Sequence, residues 1–427
     1  MRALVPEGGV ILVLGGGFDQ AELISFLKEK GFYVVVIDYN EAPVSACLAD
    51  EHLQVSALDA DRVLAVARDR DAVLVLTSGT DQPLYVAALV SEELNLPFPF
   101  PAQKAQDLTN KKFMKSVLLD HGIPTPDALV CSQDDLVAAR RLKFPLVCKP
   151  LDANSSKGIS KVTRFQGLAD AVGHALAFSR VTEVIIEEFL DGLEISIDAW
   201  IDKDGDVHLL AISKLFKLDN GRGDFPIICS EFDTEFYLEW QEEVTRILRW
   251  IGDAFNIRHS PLLVQAIVDD SGVHVIELGS RIGGGGKHKL IERLRGFNLN
   301  RHLGETFIRS TDGSFSAPPL CCRKHVAMVY LYADGCDFDE IRGISGLVEQ
   351  GVIDDAFITR PVGIPVPGAR NSSDRIGSIV VEDDDADRMR LRIRQALSTL
   401  HVVDQRTPRQ NLLGIDLAWM PGGAELS

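Results

Sequence analysis

Short apolar runs alternate with segments of helical periodicity along the first hundred residues of the chain. Three apolar runs read as buried strands, and the two segments between them repeat apolar residues at helical spacing. The strands are 10–14, 33–37 and 72–76, and the helices are 23–27 and 59–69. Strands that alternate with helices are typical of a parallel sheet covered by helices. The pattern therefore predicts an open α/β domain at the start of the chain.

Two loops at the ends of these strands carry candidate binding groups. The glycines 15–17 follow the first strand and Asp38 ends the second. This spacing indicates either a dinucleotide-binding turn or an ordinary tight connection from strand to helix. Residues 77–81 (Thr-Ser-Gly-Thr-Asp) follow the third strand, at the edge where α/β folds bind ligands. They are either a substrate-facing loop or a helix cap.

A hairpin over residues 264–279 carries a stronger chemical signal. Two apolar runs flank a turn at 269–272 (Asp-Asp-Ser-Gly), which favours two antiparallel strands. Gln265 lies on the first strand, and Glu277 and Arg281, four residues apart, lie on one face of the second. Oxygen ligands suit Mg²⁺ and a guanidinium binds phosphate. The set predicts a metal and phosphoryl site; the alternative is a solvated Glu–Arg pair on a surface hairpin.

Basic and small residues upstream of the hairpin point in the same direction. Lys149 ends a short apolar strand, where a charge is costly unless it meets an opposite charge. Residues 152–160 form a small-residue loop that suits either closure over a triphosphate or a plain hairpin connection. A long irregular segment is predicted at 215–234, the length of a lid or a binding loop.

The pattern restarts after residue 309. Strands are predicted at 326–332, 356–359 and 376–381, and an amphipathic helix at 383–400, which together indicate a smaller α+β domain. We expect three domains: an N-terminal α/β domain over 1–105, a central domain over 106–312 and a C-terminal α+β domain over 313–427.

Composition narrows the function classes. The net charge of −18 over 427 residues argues against a broad nucleic-acid surface, which needs basic residues. The seven cysteines show no metal-type spacing and indicate reduced thiols in a cytoplasmic protein. The sequence shows no signal peptide and no apolar run near the ~20 residues of a membrane span. We therefore expect a cytoplasmic protein that binds neither nucleic acid nor membrane.

The chain carries the ordered series Lys111, Lys149, Glu194, Lys214, Gln265, Glu277 and Arg281. This series resembles the ATP-grasp superfamily over residues 1–310. It is most similar to the unit shared by carbamoyl phosphate synthetase, biotin carboxylase, D-alanine–D-alanine ligase and the L-amino acid (dipeptide) ligases. The resemblance implies an α/β and α+β chain with an ATP-grasp fold. In that fold an N-terminal open α/β (pre-ATP-grasp) domain precedes two lobes that bind ATP between antiparallel sheets, and a small α+β domain follows them.

The resemblance also implies roles for individual residues. Lys111 and Lys149 resemble the phosphate lysines, the loop with Ser155, Ser156 and Gly158 the mobile loop over the phosphates, and Glu194 the ribose ligand. Glu187, Glu188 and Leu190 fall at the adenine hinge. Lys214 and Arg281 match catalytic, phosphate-side cations, and Gln265 and Glu277 match the metal ligands. The implied cofactors are ATP and Mg²⁺ or Mn²⁺.

Two positions near the hairpin need separate comment. The superfamily reads Glu-x-Asn-x-Arg where this chain has Gly279 in place of the asparagine, which leaves the number of bound metals open. Gly284 and Gly285, in the glycine run, are candidates for holding a substrate oxygen, or form a flexible turn. His288 is a candidate substrate contact, although an isolated histidine is more often structural.

The implied reaction is ATP-dependent activation of a carboxylate as an acyl phosphate, with release of ADP, followed by coupling to an amine. We expect amino acids or amino-acid-like acids as substrates and a possible homodimer. The alternatives are a purine-pathway or carboxyphosphate-forming ligase, and a nucleotide-binding protein without turnover.

Overall fold

The computed structural model describes residues 5–152, 158–218, 226–309, 315–333, 335–366 and 368–404. Its first unit is a parallel sheet with strand order β3-β2-β1-β4, as the alternation of apolar runs predicts. The elements are β1 (Val10–Leu14), α1 (Ala21–Glu29), β2 (Tyr33–Asp38), β3 (Glu51–Gln54), α2 (Ala60–Asp69), β4 (Ala72–Leu76) and α3 (Gln82–Leu94). The inner strands are apolar on both faces because helices cover both sides of the sheet.

The glycine turn after β1 is closed by the chain itself. The Gly16 amide donates a hydrogen bond of 2.8 Å to Asp38 Oδ2. A Cβ at residue 16 would lie 2.8 Å from the ring of Pro43, so glycine is needed for the close approach of that loop. Asp38 is thereby engaged in holding the turn. Of the two interpretations of this sequence, the structure supports the tight strand-to-helix connection.

The second unit is a four-stranded antiparallel sheet with order β5-β8-β6-β7. Asn110 caps the helix Lys111–Asp120, which precedes this sheet. It accepts hydrogen bonds from the amides of Lys112 and Phe113, at 3.0 and 3.2 Å. The elements are α4 (Ala102–Asp107), α5 (Lys111–Asp120), β5 (Ala128–Ser132), β6 (Leu146–Pro150), β7 (Ser160–Val162), α6 (Leu168–Ala177) and β8 (Glu183–Glu188). Helix α6 packs on this sheet around a core of its own.

An eight-stranded sheet with order β13-β12-β9-β10-β11-β14-β18-β16 dominates the rest of the molecule. Its first elements are β9 (Leu193–Ile201), β10 (Val207–Lys217), β11 (Ile227–Asp233), α7 (Thr234–Ala254), β12 (Ser260–Asp269), β13 (Gly272–Gly279), α8 (Lys287–Arg295) and α9 (Leu299–Ile308). The predicted hairpin is confirmed: β12 and β13 are antiparallel and are joined at the predicted turn. Strand β11 lies within the segment 215–234, so the expectation of a continuous irregular segment there is wrong.

The same sheet continues past residue 313. The elements are β14 (His325–Leu331), β15 (Cys336–Arg342), α10 (Ile344–Glu349), β16 (Asp355–Ile358), β17 (Pro365–Val366), β18 (Gly377–Asp383), α11 (Ala386–Thr399) and β19 (His401–Asp404). Strand β14 pairs with β11 over five residue pairs, from Cys229↔Val329 to Asp233↔His325. Strands β15, β17 and β19 form a separate small sheet.

Short 3₁₀ helices occur at Phe18–Gln20, Ala46–Leu48, Leu136–Arg141, Phe165–Gly167 and Ser372–Asp374. Within the ranges that the structure describes, no helix has the length and apolar character needed to cross a bilayer.

Candidate active site

A row of polar side chains crosses four neighbouring strands of the large sheet. Glu277 on β13 lies opposite Gln265 on β12, Gln265 lies opposite Ser196 on β9, and Ser196 lies opposite Ser213 on β10. Residues that face each other across antiparallel strands project to the same side of the sheet. The sheet therefore presents one carboxylate, one amide and two hydroxyls along one line. A purely structural sheet face would bury apolar side chains at these positions.

Lys149 stands at the end of β6 and meets a buried carboxylate. The side chain of Glu187 is only 3% exposed, forms an ion pair with Lys149 and lies 2.7 Å from Lys115 Nζ. Burial alone would lower the pKa of Lys149, but Glu187 first, and Glu277 and Glu194 after it, raise that pKa above its ordinary value. Lys149 therefore stays charged in a buried position. The effect of Glu194 and Glu277 on the pKa of Lys149 also indicates that these three side chains lie close together.

Lys111 reaches the same place from the first turn of α5. Its Nζ lies 3.1 Å from Glu277 Oε1, and the lysine side chain is 11% exposed whereas that of Glu277 is 36% exposed. The pair links the helix that precedes the second sheet to the hairpin of the large sheet. Two lysines of the second unit, Lys111 and Lys149, thus lie close to Glu277 on the large sheet.

Glu194 lies on β9 near Lys149. Its ion-pair partner is a lysine that sequence analysis did not select. Lys217 Nζ lies 2.6 Å from Glu194 Oε2. Lys214, the predicted phosphate-side cation, instead lies 2.9 Å from Asp233 Oδ2 and 4.9 Å from the centre of the Phe236 ring on α7. Residues 214 and 217 are three positions apart on one strand, so their side chains project to opposite faces. The contacts place Lys217, rather than Lys214, on the side of Glu194.

Arg281, just beyond β13, is held by the first unit of the chain. Its Nη2 donates a 2.7 Å hydrogen bond to Asp81 Oδ2, and its Nε donates to Asp81 Oδ1. Burial would lower the pKa of Arg281, but Asp81 raises it. Asp81 belongs to the loop at 77–81, which was left open between a substrate-facing loop and a helix cap. In the structure this loop lies against the glycine run, with Gly79 O 3.1 Å from the position of a Cβ at Gly284.

The glycine run adopts left-handed backbone conformations at Gly285 and Gly286, with φ of +71° and +80°. Their amides donate hydrogen bonds of 3.0 and 2.8 Å to the carboxylate of Asp19, so Gly285 has a protein acceptor. His288 follows with its side chain 1% exposed and its Nδ1 3.7 Å from Asp19 Oδ1. Neither ring nitrogen has a hydrogen-bond partner among the described residues, and burial lowers the pKa of His288.

The remaining predicted ATP contacts are only partly within the described residues. Ser155 and Ser156 lie outside them, and Gly158 begins the next described segment with φ of +70°. Glu188 turns away from the cleft lysines, because its Oε1 accepts a 2.7 Å hydrogen bond from the amide of Lys143. Leu190 lies in the connection between β8 and β9 and is half-buried. The carboxylate of Glu187, a residue predicted for the adenine hinge, neutralises Lys115 and Lys149.

Several residues at this site were missed by sequence reasoning. They are Asp19, Lys115, Asp198, Lys217, Lys287 and Arg375, whereas Asp81 was included only as part of the loop at 77–81. The alternation of side chains along β10 could have found Lys217, because Lys217 and not Lys214 shares the parity of Ser213. No local pattern predicts contacts such as that between Asp81 and Arg281.

The oxygen atoms of Gln265 and Glu277 suit a metal ion that also binds the phosphates of a nucleotide. In the part of the chain that the structure describes, no three His, Cys, Asp or Glu side chains are grouped as a metal site. Glu277 and Gln265 supply one carboxylate and one amide oxygen on neighbouring strands. Mg²⁺ commonly keeps several waters and binds through one or two protein ligands together with substrate phosphates. These two side chains fit that mode of binding.

Comparison with known proteins gives related sequences. A family model described as ATP-grasp domain matches residues 142–288. The phosphoribosylamine–glycine ligase of Streptomyces coelicolor is 30% identical over 303 residues, which cover 67% of this chain and 70% of that protein. The carbamoyl-phosphate synthase of Methanobrevibacter smithii is 28% identical over 179 residues, 40% of this chain and 47% of that protein. The chain thus spans about half the length of the latter relative.

Solved structures show the same fold over nearly the whole chain. The L-amino acid ligase from Bacillus licheniformis matches with a TM-score of 0.77 and 20% identity, over 94% of this chain and 100% of that one. The biotin carboxylase domain of the Hydrogenobacter thermophilus 2-oxoglutarate carboxylase, solved with MgADP, matches with a TM-score of 0.74 and 16% identity, over 95% and 91%. At these identities the likeness concerns the fold. The extended match to the Streptomyces ligase, together with the family model, shows that the chain belongs to the ATP-grasp family.

Proposed function

We propose that the protein uses ATP and Mg²⁺ to activate a carboxylate as an acyl phosphate, releases ADP, and couples the acyl group to an amine. The observation that carries this proposal is the grouping of Lys111 and Lys149 with the carboxylates of Glu277 and Glu194, between the second sheet and the large sheet. Such a cleft suits a triphosphate because phosphoryl transfer needs in-line positioning and neutralisation of charge more than covalent help.

The proposed division of labour follows from the contacts. Lys111 and Lys149 are the phosphate ligands, and Lys217 is added to them because it lies beside Glu194, the proposed ribose ligand. Gln265 and Glu277 would hold Mg²⁺, which neutralises phosphate charge when bound. Arg281 would contact the phosphoryl group that is transferred. Fixed cations in a site that excludes water stabilise developing charge without reorganising.

Amino acids or amino-acid-like acids are the proposed substrates, and small molecules of this kind are the only partners proposed apart from a second copy of the chain. The fold likeness to an L-amino acid ligase and the sequence likeness to D-alanine–D-alanine ligases, 28% identical for that of Herminiimonas arsenicoxydans, support this choice. A cytoplasmic location fits these substrates. We also propose the domain limits 1–105, 106–312 and 313–427, and note that the large sheet crosses the second of them.

Two alternatives have specific support. The similarity to the Streptomyces phosphoribosylamine–glycine ligase favours a purine-pathway ligase. Gly279, where the superfamily has a metal-binding asparagine, favours a protein that binds nucleotide without turnover. The first alternative predicts turnover with glycine and phosphoribosylamine, and the second predicts nucleotide binding with no ADP release for any acid.

The decisive experiment measures ADP release from ATP with individual L-amino acids, with hydroxylamine present to trap an acyl phosphate as a hydroxamate. Glu277→Ala and Lys149→Ala should each lower ADP formation at least 100-fold, since each removes a charge beside the phosphates. Lys203→Ala is the matched control, because Lys203 is 44% exposed and pairs with the surface residue Asp204. Normal turnover in a folded Glu277→Ala or Lys149→Ala protein would refute the placement of the site.

A further inference from the structure

Two buried cations lie next to the proposed phosphoryl site and have no role in it so far. Lys287 is the first residue of α8, and its side chain is 6% exposed. In the described residues its Nζ has no hydrogen-bond partner, and Asp198 Oδ2 lies 4.0 Å away, beyond hydrogen-bonding distance. All three protons of the ammonium group therefore remain available for a ligand.

Arg375 is the second cation, and it follows the 3₁₀ helix Ser372–Asp374. Its guanidinium lies 3.7 Å from the centre of the Tyr330 ring, and its Nε donates a 3.2 Å hydrogen bond to Tyr332 Oη. Over the described ranges it forms no ion pair with a carboxylate. Its Nη1 lies against the glycine run, since a Cβ at Gly285 would be 2.0 Å from that atom.

The two cations belong to one cluster of charged side chains around the glycine run, close to Arg281. Lys287 and Arg375 repel each other electrostatically, and both Lys287 and Arg281 act on the carboxylate of Asp198. Asp198 projects from the same face of β9 as Ser196, at the next position with the same parity. Ser213 on β10, opposite Ser196, has a buried hydroxyl for which the described residues supply no partner. The cluster thus continues the polar row that runs from Glu277 to Ser213.

The positive charges of Lys287 and Arg375 have few anionic partners in this cluster. A buried cation without a hydrogen-bonded anion is expensive, and proteins normally pair such groups. Asp19, the other nearby carboxylate, is already bound by the amides of Gly285 and Gly286. Asp198 attracts Lys287 but does not reach it. A ligand that brings an anion between Lys287 and Arg375 would satisfy both.

We propose that Lys287 and Arg375 bind a carboxylate of the substrate that is not the one activated by ATP. This inference rests on the proposed function, because it places a second substrate group beside the phosphoryl site. The carboxylate has two possible sources of the same chemistry. It belongs either to an acid with a second carboxylate, or to an amino acid that serves as the amine.

Direct binding to the full-length protein saturated with MgADP tests the site without requiring turnover. Calorimetry with succinate and succinamate tests the first source, and glycine and glycinamide test the second. We expect the carboxylate-bearing probe of one pair to bind the wild-type protein and its amide to bind much more weakly. Arg375→Met and Lys287→Met should each weaken the binding of that probe roughly 10- to 100-fold, the range of one lost charge-assisted hydrogen bond.

Three controls keep the result specific. Arg342→Met should leave binding unchanged, because Arg342 is 66% exposed and its partner is Glu340 on the same strand. Arg375→Lys should recover part of the affinity by restoring the charge. Lys287→Met combined with Asp198→Asn removes both unpaired charges, and it should unfold at the same temperature as the wild type or higher.

Equal affinity for the carboxylate and its amide in both pairs, or no effect of either Met substitution on the binding of the carboxylate, would overturn the proposal. A lower unfolding temperature of the double variant would also overturn it. The weaker binding of the Met variants would then be explained by loss of folded protein. An enzyme that binds one carboxylate through these residues but never releases ADP would support this site and contradict the proposed ligase function. ADP release with unaltered carboxylate binding in the variants would do the reverse.

Discussion

Asp81 accepts two hydrogen bonds from the guanidinium of Arg281, although 200 residues separate them in the sequence. Gly279 makes room for this contact, because a Cβ at residue 279 would lie 2.9 Å from Asp81 Oδ1. The space beside Gly279 is thus occupied by a carboxylate from the first unit of the chain. Arg281 is oriented by that carboxylate.

Loss of Asp81 should therefore impair the transfer step more than nucleotide binding. We expect Asp81→Ala to lower kcat for ADP formation about tenfold, because the removal of hydrogen bonds to a charged group costs about 1.5 kcal/mol. The dissociation constant of ADP should change less than twofold, since ADP lacks the phosphoryl group that Arg281 would contact. Steady-state kinetics and calorimetry measure the two quantities.

The space at Gly279 gives a matching test. Gly279→Ala places a methyl group against Asp81 Oδ1 and should reproduce the fall in kcat by displacing that carboxylate. Gly346→Ala is the control, because Gly346 lies in α10 and its Cβ would meet only the end of the Gln350 side chain, at 3.8 Å. A fully active Gly279→Ala protein would show that the contact of Asp81 with Arg281 has no part in the reaction.

Glu187 should be essential to stability as well as to the site. Glu187→Gln leaves Lys115 and Lys149 buried without a carboxylate, and breaking a buried ion pair in this way costs about 3 kcal/mol. Urea denaturation measures the change in the free energy of unfolding. Glu183→Gln on the same strand is the control, because its partner Lys112 is 52% exposed and such surface pairs contribute about 1 kcal/mol or less. Equal losses in both variants would contradict this account of Glu187.

Lys214 and Lys217 of β10 should have different roles, one in stability and the other in ATP binding. Lys217→Met should weaken ATP binding about tenfold, the cost of one charge-assisted contact, because Lys217 lies beside Glu194. Lys214→Met should leave ATP affinity unchanged and lower stability instead, since Asp233 would lose its partner at 2.9 Å. Calorimetric titration with a non-hydrolysable ATP analogue distinguishes the pair. The opposite ranking would restore Lys214 as the phosphate-side lysine.

Stability should fall in acid because of His302. Burial first, and the neighbouring His259 second, lower the pKa of His302 to about 4. Its ring lies 4.4 Å from that of Trp200 and 4.5 Å from that of Phe315. An unfolded histidine binds its proton below pH ~6.5, whereas the folded one does so only near 4, so stability is lost as pH falls through this interval. The loss attributable to His302 should reach about 3 kcal/mol at pH 4.

Urea denaturation at pH 7 and pH 4.5 checks this expectation, with His302→Phe as the variant that keeps the aromatic contacts without the titrating group. The variant should lose less stability than the wild type between the two pH values. His121→Phe is the control, because His121 is exposed at the end of α5. An identical loss in the wild type and His302→Phe would rule out His302 as the cause.

The sequence was sufficient where chemistry followed from local pattern. The turn at 269–272 predicts the hairpin, and the hairpin places Gln265 opposite Glu277. Lysine at the end of an apolar strand predicts a charge partner for Lys149, and Glu187 is that partner. In both cases neighbours along the chain determine the position of the side chain.

It was insufficient where the fold joins distant segments. Strand β11 has polar residues at Ser230 and Glu231 and resembles a loop in isolation, because its burial depends on pairing with β10 and β14. Lys287 lies next to the candidate His288, and no local pattern distinguishes it from a surface lysine. Arg375 lies in a turn with no recognisable motif, and its position against Gly285 follows from the packing of β14 and the glycine run.

The continuity of the eight-stranded sheet limits how the protein can be divided. Strand β14 covers the outer edge of β11, and the ladder between them belongs to one sheet with the metal-ligand hairpin. A fragment ending near residue 312 would leave unpaired the backbone groups of β11 that face β14, and an exposed strand edge of this kind recruits other chains. Such a fragment should self-associate, so engineering that grafts the nucleotide cleft onto another protein must carry β14 and β18 with it.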